Sequence, residues 1–183
     1  TYMSHSLSPY FAEGMKAVTY ELVDVLDNEI DHVVLPVGNG SLLIGMVRGY
    51  QELLQAGGVN RIPQFHAVQT YSVRPVVAAI SGEDWSHEDA RPTIASGIAV
   101  SMPPRLIEMV EAIRMAAGTG VTVTEDSLKD WQKRIASSEG LFVEITSAVA
   151  FAGLAELIKS GVIQKGSNVC LPITGSGLKE PLQ

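Results

Sequence analysis

Apolar positions recur along this chain at two alternating periods, one of helices and one of strands. Phe11, Met15, Val18, Leu22, Val25 and Leu26 fall at helical spacing behind Ser8-Pro9, a capping hydroxyl and a proline suited to the first helical position. They predict a helix over residues 9–27. Residues 28–31 break it, and the valine-rich residues 33–37 predict a strand. Leu42, Leu43, Met46, Val47, Tyr50, Leu53 and Leu54 mark a second helix, ended by Gly57-Gly58 in a left-handed turn. Residues 63–70 predict the second strand. Connections this short imply parallel pairing through right-handed crossovers.

Residues 74–81 predict a further short helix, residues 82–91 an exposed polar loop, and residues 93–101 an extended segment. Pro103-Pro104 open a helix striped by Leu106, Ile107, Val110, Ile113 and Ala117, which Gly118 and Gly120 close. After a short strand at 121–123, Thr124 caps a helix that carries Glu125 and Asp126 in its first turn and Leu128, Trp131 and Ile135 on one stripe, with Gly140 past its end. Residues 146–158 (TSAVAFAGLAELI) are apolar on nearly all faces and predict a buried helix; residues 168–173 predict the last strand. The expected fold class is α/β, an open parallel sheet with helices on both faces, in one domain spanning residues 1–183.

Small residues stand where two of the strands end. Gly38-Asn39-Gly40-Ser41 joins the first strand to the helix pattern that starts at Leu42. Such a junction aims unpaired N–H groups and the positive end of a helix dipole at one spot, which suits a phosphate; the plainer alternative is a tight turn. Nucleotide motifs do not fit it. Met46 and Val47 follow Gly45 where a Walker loop needs lysine and a hydroxyl, and Leu43 stands where a dinucleotide fingerprint needs its third glycine. Thr174-Gly175-Ser176-Gly177 follows the last strand; alone it reads as a turn, and Thr174 offers a hydroxyl to the same sheet edge, where ligands of open α/β sheets bind. Glu144, between Val143 and Ile145, is either a site residue or a carboxylate bonded to neighbouring N–H groups.

Composition narrows the classes. A chain of 183 residues with 46% hydrophobic content supports one core. A net charge of −7, with thirteen Lys and Arg scattered, disfavours nucleic acid as a partner. Cys170 is the one cysteine and lies in an apolar run, as expected of a buried structural thiol in a cytoplasmic protein. No apolar run approaches the roughly 18 residues of a membrane span, and no signal peptide pattern precedes the first helix. His5, His32, His66 and His87 are far apart without ligand-like neighbours, so no metal site is expected. The opening Thr1-Tyr2-Met3 runs almost directly into a helix, as in a piece of a longer protein.

Four stretches taken together resemble the pyridoxal-phosphate enzymes of the tryptophan-synthase β fold (fold type II), and among them the threonine synthases. SHSLSPYFAEGMKAVTYEL at 4–22 is similar to their return from the small domain to the large one, and LPVGNGSLLIG at 35–45 to their cofactor phosphate loop. LFVEITSAVAFAGL at 141–154 and LPITGSGLKEP at 171–181 resemble their late Glu-Pro-x-Ser-Ala helix start and Thr-Gly-x-Gly-Leu-Lys ending. The resemblance implies pyridoxal 5′-phosphate as cofactor, with Gly38, Asn39, Gly40, Ser41 and Leu42 cradling its phosphate and Thr174 as hydroxyl partner of its pyridine nitrogen. A neutral hydroxyl, unlike a carboxylate, does not stabilise a protonated pyridine, which suits elimination and replacement chemistry.

Departures from the family pattern set the remaining expectations. No segment resembles the one that carries the Schiff-base lysine; Lys16, Lys129, Lys133, Lys159, Lys165 and Lys179 sit in other contexts, so no catalytic residue is assigned. Phe11 stands where some threonine synthases carry a substrate-phosphate arginine, Ile145 replaces a proline, and Ser41 replaces a glycine. The chain thus reads as the C-terminal, large-domain part of a longer enzyme. The resemblance implies a small amino-acid substrate, with O-phosphohomoserine converted to threonine and phosphate. The alternatives are a threonine dehydratase, a cysteate synthase, or an inactive fragment or ligand-binding module. A sheet edge uncovered by a missing small domain would expose apolar surface, so a homo-oligomer is expected.

Overall fold

Successive side chains of a strand point to opposite faces, and along β1 (His32–Pro36) this sorts the helices into two layers. Val33, Leu35 and Val37 join Phe65 and Ala67 of β2 (Gln64–Thr70) in one core with Leu43, Met46, Val47 and Tyr50 of α2 (Ser41–Gln55) and Met109 and Ile113 of α4 (Leu106–Met115). Val34 and Val68 enter the opposite core, with Leu128 of α5 (Glu125–Glu139) and Val149, Ala152 and Leu157 of α6 (Ile145–Lys159). Strands covered on both faces read as continuous apolar runs rather than alternating ones, which is the pattern of residues 33–37. The computed structural model describes residues 6–26 and 29–179.

Two more strands, β3 (Gly120–Val123) and β4 (Val169–Cys170), complete a four-stranded parallel sheet of order β3-β2-β1-β4. Leu35 pairs with Ala67, Val68 with Val121, and Val33 with Cys170. The remaining helices are α1 (Pro9–Leu26) and α3 (Pro75–Ser81). The predicted α/β architecture is therefore the observed one. Among the described residues no helix is long and apolar enough to cross a membrane.

Helix α1 adds a third layer. It lies on the back of α2, where Gly45 and Gly49 bring the two backbones together: a Cβ on Gly45 would fall 2.4 Å from Met15 Cβ and 2.5 Å from the Ala12 carbonyl. Thr19 is fully buried there and donates to the Met46 carbonyl at 2.9 Å. Arg105, ahead of α4, donates to the Ser8 carbonyl at 2.9 Å and so ties the start of α1 to the layer beneath.

Local signals set most boundaries. Gly57 takes φ 74° after α2, and the Gly58 N–H reaches the Leu53 carbonyl at 2.8 Å, the bond that closes a helix end. Thr124 Oγ1 accepts the Ser127 N–H, and Gly140 is left-handed after α5. Three expectations are corrected. Residues 93–101 form no strand but a 3-10 turn at Ser96–Ile98, because their N–H groups are taken by side chains rather than by a neighbouring strand. The last strand is two residues long, only Val169 and Cys170 pairing with β1, and further on the N–H groups of Thr174 and Gly175 go to Ser147 Oγ. After α4, Ala117 and not a glycine takes positive φ (50°), while Gly118 is where the turn touches β2: a Cβ there would sit 1.6 Å from the Phe65 carbonyl oxygen. Cys170 is half-buried, and burial pushes its thiol up. Asp27, Asn28, His5 and Pro181 lie outside the described residues.

The sheet also unites two histidines that are separate in sequence. His32 Nδ1 lies 3.0 Å from His66 Nε2 between adjacent strands, and the other nitrogen of the fully buried His66 has no partner. Burial, reinforced by His32, pushes His66 down to about 4. His32 is lowered as well, by burial first, with Arg61 reinforcing and Asp31 opposing. Both bind fewer protons folded than unfolded, so stability is fully present above pH 6.5, the ordinary value for histidine, and falls as pH drops from there towards about 4. Urea midpoints measured between pH 7 and pH 5 should decline, and His66→Phe should remove most of that slope.

Candidate functional site

The carboxyl ends of β1 and β4 lie on the same edge of the sheet, and each runs into a turn of small residues. After β1, Val37 still bonds to the Val68 carbonyl (3.1 Å), and its own carbonyl accepts from the buried Gln69 Nε2 (2.9 Å). Gln69 Oε1 accepts the N–H groups of Val76 and Val77, so one carboxamide fastens the entry to the turn to the start of α3. Gly40 then turns the chain with φ 79° and ψ 4°, packed so tightly on Met109 that a Cβ would fall 2.1 Å from its sulfur. The first helical bond of α2 runs from Ile44 N–H to the Gly40 carbonyl (2.9 Å). Ser41, Leu42 and Leu43 accordingly lie in its first turn, where N–H groups have no partner within the helix. Ser41 Oγ is buried without a hydrogen-bond partner. Asn39 and Leu42 are partly buried beside it.

The second turn is held from α6. Thr174 N–H and Gly175 N–H both reach Ser147 Oγ, at 3.0 and 3.1 Å. Thr174 Oγ1 lies 3.1 Å from Ser147 Oγ and donates to Glu144 Oε1 at 3.2 Å. Glu144 precedes α6, its N–H bonding to the Gly175 carbonyl (3.0 Å) and its Oε2 lying 3.6 Å from Lys179 Nζ. Of the two readings open in the sequence, Glu144 is thus placed against Thr174 rather than only against backbone N–H groups.

A third piece joins the two turns. Gly97, in the 3-10 turn, gives its N–H to Thr146 Oγ1 at 3.2 Å, one residue before Ser147. On its other side, the Gly97 carbonyl and the Ile98 Cα would lie 3.1 Å from a Cβ on Gly38. Glu125 holds that segment by accepting from Thr93 Oγ1 (3.1 Å) and Ile94 N–H (3.0 Å). Ser147, Gly97 and Gln69 escape a sequence reading of the site. The serine stands inside the 141–154 motif and was the findable one.

Other candidates stand apart. Among the described residues no three His, Cys, Asp or Glu side chains come together as metal ligands. A groove of about 680 Å³ at the amino end of the strands, lined by His32, Arg61 and Lys165 among others, contains none of the residues above. Its Asp31 is already satisfied by Arg61 (2.7 Å) and by the Asn168 N–H (2.9 Å).

Residues 1–175 match the family described as "Pyridoxal-phosphate dependent enzyme". The chain belongs to that family. Among curated relatives, it is 34% identical over 183 residues to a threonine synthase of Methanosarcina acetivorans, covering 98% of this chain and 45% of the relative. It is 34% identical over 177 residues to a threonine synthase of Mycobacterium tuberculosis, covering 97% and 48%. The chain spans about half the length of the curated relatives it matches. Among solved structures, a processed threonine deaminase isoform 2 from Solanum lycopersicum superposes with a TM-score of 0.78 at 22% identity, over 96% of this chain and 48% of that one. A serine racemase from Dictyostelium discoideum gives 0.67 at 22% identity, over 89% and 49%. At such identities the likeness is one of fold, and the fold is that of the fold type II pyridoxal-phosphate enzymes.

The residues present fit the family's cofactor. A phosphate needs N–H donors at a helix start and a hydroxyl without other commitments, and α2 offers its first turn together with the orphaned Ser41 Oγ. Ser41→Ala removes no bond from the free protein, so its stability should stay within about 0.5 kcal/mol of the parent. Cofactor affinity of the full-length protein, titrated by absorbance, should fall roughly tenfold, the worth of one charge-assisted hydrogen bond. Gly40→Ala should lower stability itself by more than about 1–2 kcal/mol, because the cost of a left-handed non-glycine residue is joined by that of displacing the Met109 side chain.

Proposed function

We propose that the full-length protein is a threonine synthase, converting O-phosphohomoserine to threonine and phosphate on pyridoxal phosphate, and that this chain is its large-domain part. The observation that carries the reading is the pair of turns at one sheet edge, with an uncommitted hydroxyl at Ser41 in the first and, at Thr174 in the second, a hydroxyl held between Ser147 and Glu144. Likeness to threonine synthases along nearly the whole chain supports the choice within the family.

In this reading Gly38, Asn39, Gly40, Ser41 and Leu42 hold the cofactor phosphate through first-turn N–H groups and the Ser41 hydroxyl. Thr174 faces the ring nitrogen. When bound, pyridoxal phosphate supplies an electron sink for charge developing on the amino-acid carbons. The protein's part is to fix the ring at both ends, so that the reacting bond of a small amino acid stays aligned with the sink. The two holds are braced against each other through Gly97 and Thr146. No lysine of this chain is assigned the covalent role: Lys16 pairs with Glu13 and Glu52 on the outer helices, Lys159 with Glu156, and Lys179 with Glu144.

Two measurements test this. The full-length protein incubated with O-phosphohomoserine should release inorganic phosphate and form threonine in equal amounts; ammonia and a 2-oxo acid released from threonine, with no phosphate release, would make it a dehydratase. Borohydride reduction of the loaded full-length protein should trap the cofactor on a lysine outside these 183 residues. A stoichiometric adduct on Lys179 would overturn the assignment.

A further inference from the structure

Arg105 is a buried cation, 9% exposed, and among the described residues no carboxylate pairs with it. It stands at the N-cap of α4, where the positive end of the helix dipole disfavours a cation. One arm of its guanidinium is spent on backbone: Nη2 donates to the Ser8 carbonyl at 2.9 Å and to the Leu7 carbonyl at 3.4 Å. The other arm, Nη1, is buried with no hydrogen-bond partner. Nearby acids are already engaged. Glu108, in the first turn of α4, pairs with Arg48 at 3.0 Å, and Glu13, the first acid of the sequence, pairs with Lys16 and Arg48. A buried charge without a counter-ion is costly, and unmade N–H bonds add to the cost. What the position lacks is an anion.

The topology says where that anion would lie. Helices α1 and α4 lead into parallel strands and α2 leads out of one, so all three start at the carboxyl edge of the sheet, where the two turns lie. Met109, one helical turn after Arg105, is the residue on which Gly40 rests. Three positive helix ends beside a guanidinium favour a dianion over a single carboxylate, and the two parallel arms of the fork match a phosphate. We propose that Arg105 is a specificity-determining residue that binds the phosphoester of the amino-acid substrate. The proposal rests on the reading of the protein as one that acts on O-phosphohomoserine. The Leu7 side of the guanidinium is the one that opens, because that bond is long and Leu7 is exposed, ahead of α1. An incoming phosphate takes the place of the Leu7 carbonyl on Nη2 and reaches Nη1 beside it, while the shorter bond to Ser8 keeps the side chain in place.

The test uses the full-length protein loaded with pyridoxal phosphate, with homoserine, which lacks the phosphate, as a competing ligand. Arg105→Gln keeps an N–H for the Ser8 carbonyl and removes the charge. It should raise KM for O-phosphohomoserine roughly tenfold to hundredfold, the worth of a charge-assisted pair, and leave cofactor content and the inhibition constant of homoserine unchanged. Arg105→Lys, which keeps a cation without the fork, should fall between Arg105→Gln and wild type. An unchanged KM in Arg105→Gln overturns the proposal. So does an equal rise in the homoserine inhibition constant, which marks a structural tie, or a loss of bound cofactor, which gives Arg105 to the cofactor's own phosphate. If Arg105→Gln does not fold, Arg105→Lys decides, and a KM equal to that of wild type overturns the proposal. A wild-type protein that releases no phosphate from O-phosphohomoserine would instead overturn the underlying reading of the reaction.

Discussion

One serine oxygen shapes the carboxyl edge of the sheet. By accepting both Thr174 N–H and Gly175 N–H, Ser147 holds the turn that follows β4 against the start of α6. A strand that continued would have aimed those N–H groups at β1 and closed the space between the two turns. Backbone donors removed from a ladder need other partners when they are partly buried, and Ser147 supplies one oxygen for both. The edge that results carries hydroxyls and N–H groups, with Glu144 beside Thr174.

The first turn is fixed by packing more than by hydrogen bonds. Gly40 rests on the sulfur of Met109, where no added side chain fits the present geometry, and Gly38 on the backbone of the 3-10 turn, where a Cβ would force that turn back by a few tenths of an ångström. Gln69 holds the entry from below through three bonds. Its place at the end of β2, where a dinucleotide fold carries an acid, is filled by an amide because the Val37 carbonyl needs a donor and the α3 N–H groups need an acceptor. A carboxylate could satisfy only half of that.

What was legible in the sequence was local. The Gly40 turn, the Thr124 cap and the glycine ends of α2 and α5 each depend on residues within one helical turn, and all were readable from spacing. That residues 33–37 are covered on both faces was readable too, since their apolar run is continuous. What was hidden depends on partners far along the chain: Thr174 to Ser147, 27 residues away, and Gly97 to Thr146, 49 away. Residues 93–101 have a strand-like composition, but Glu125 and Thr146 take the N–H groups a strand would have used. His32 and His66 were missed because spacing of three or four finds neighbours on a helix, whereas these meet across adjacent strands. The Glu144 cluster is a neighbourhood only in three dimensions: in the sequence Glu144 and Thr174 stand 30 residues apart, and nothing local joins them.

The bare strip at Gly45 and Gly49 makes α1 and α2 a single mechanical part. With backbone against backbone and Thr19 bonded to Met46, neither helix can slide or roll without opening the contact along its whole length. The far end of that part is the turn at Gly40 and Ser41. Arg105 grips the Ser8 carbonyl just ahead of α1, so the start of the outer helix is tied to the same layer that packs against the opening turn of α2.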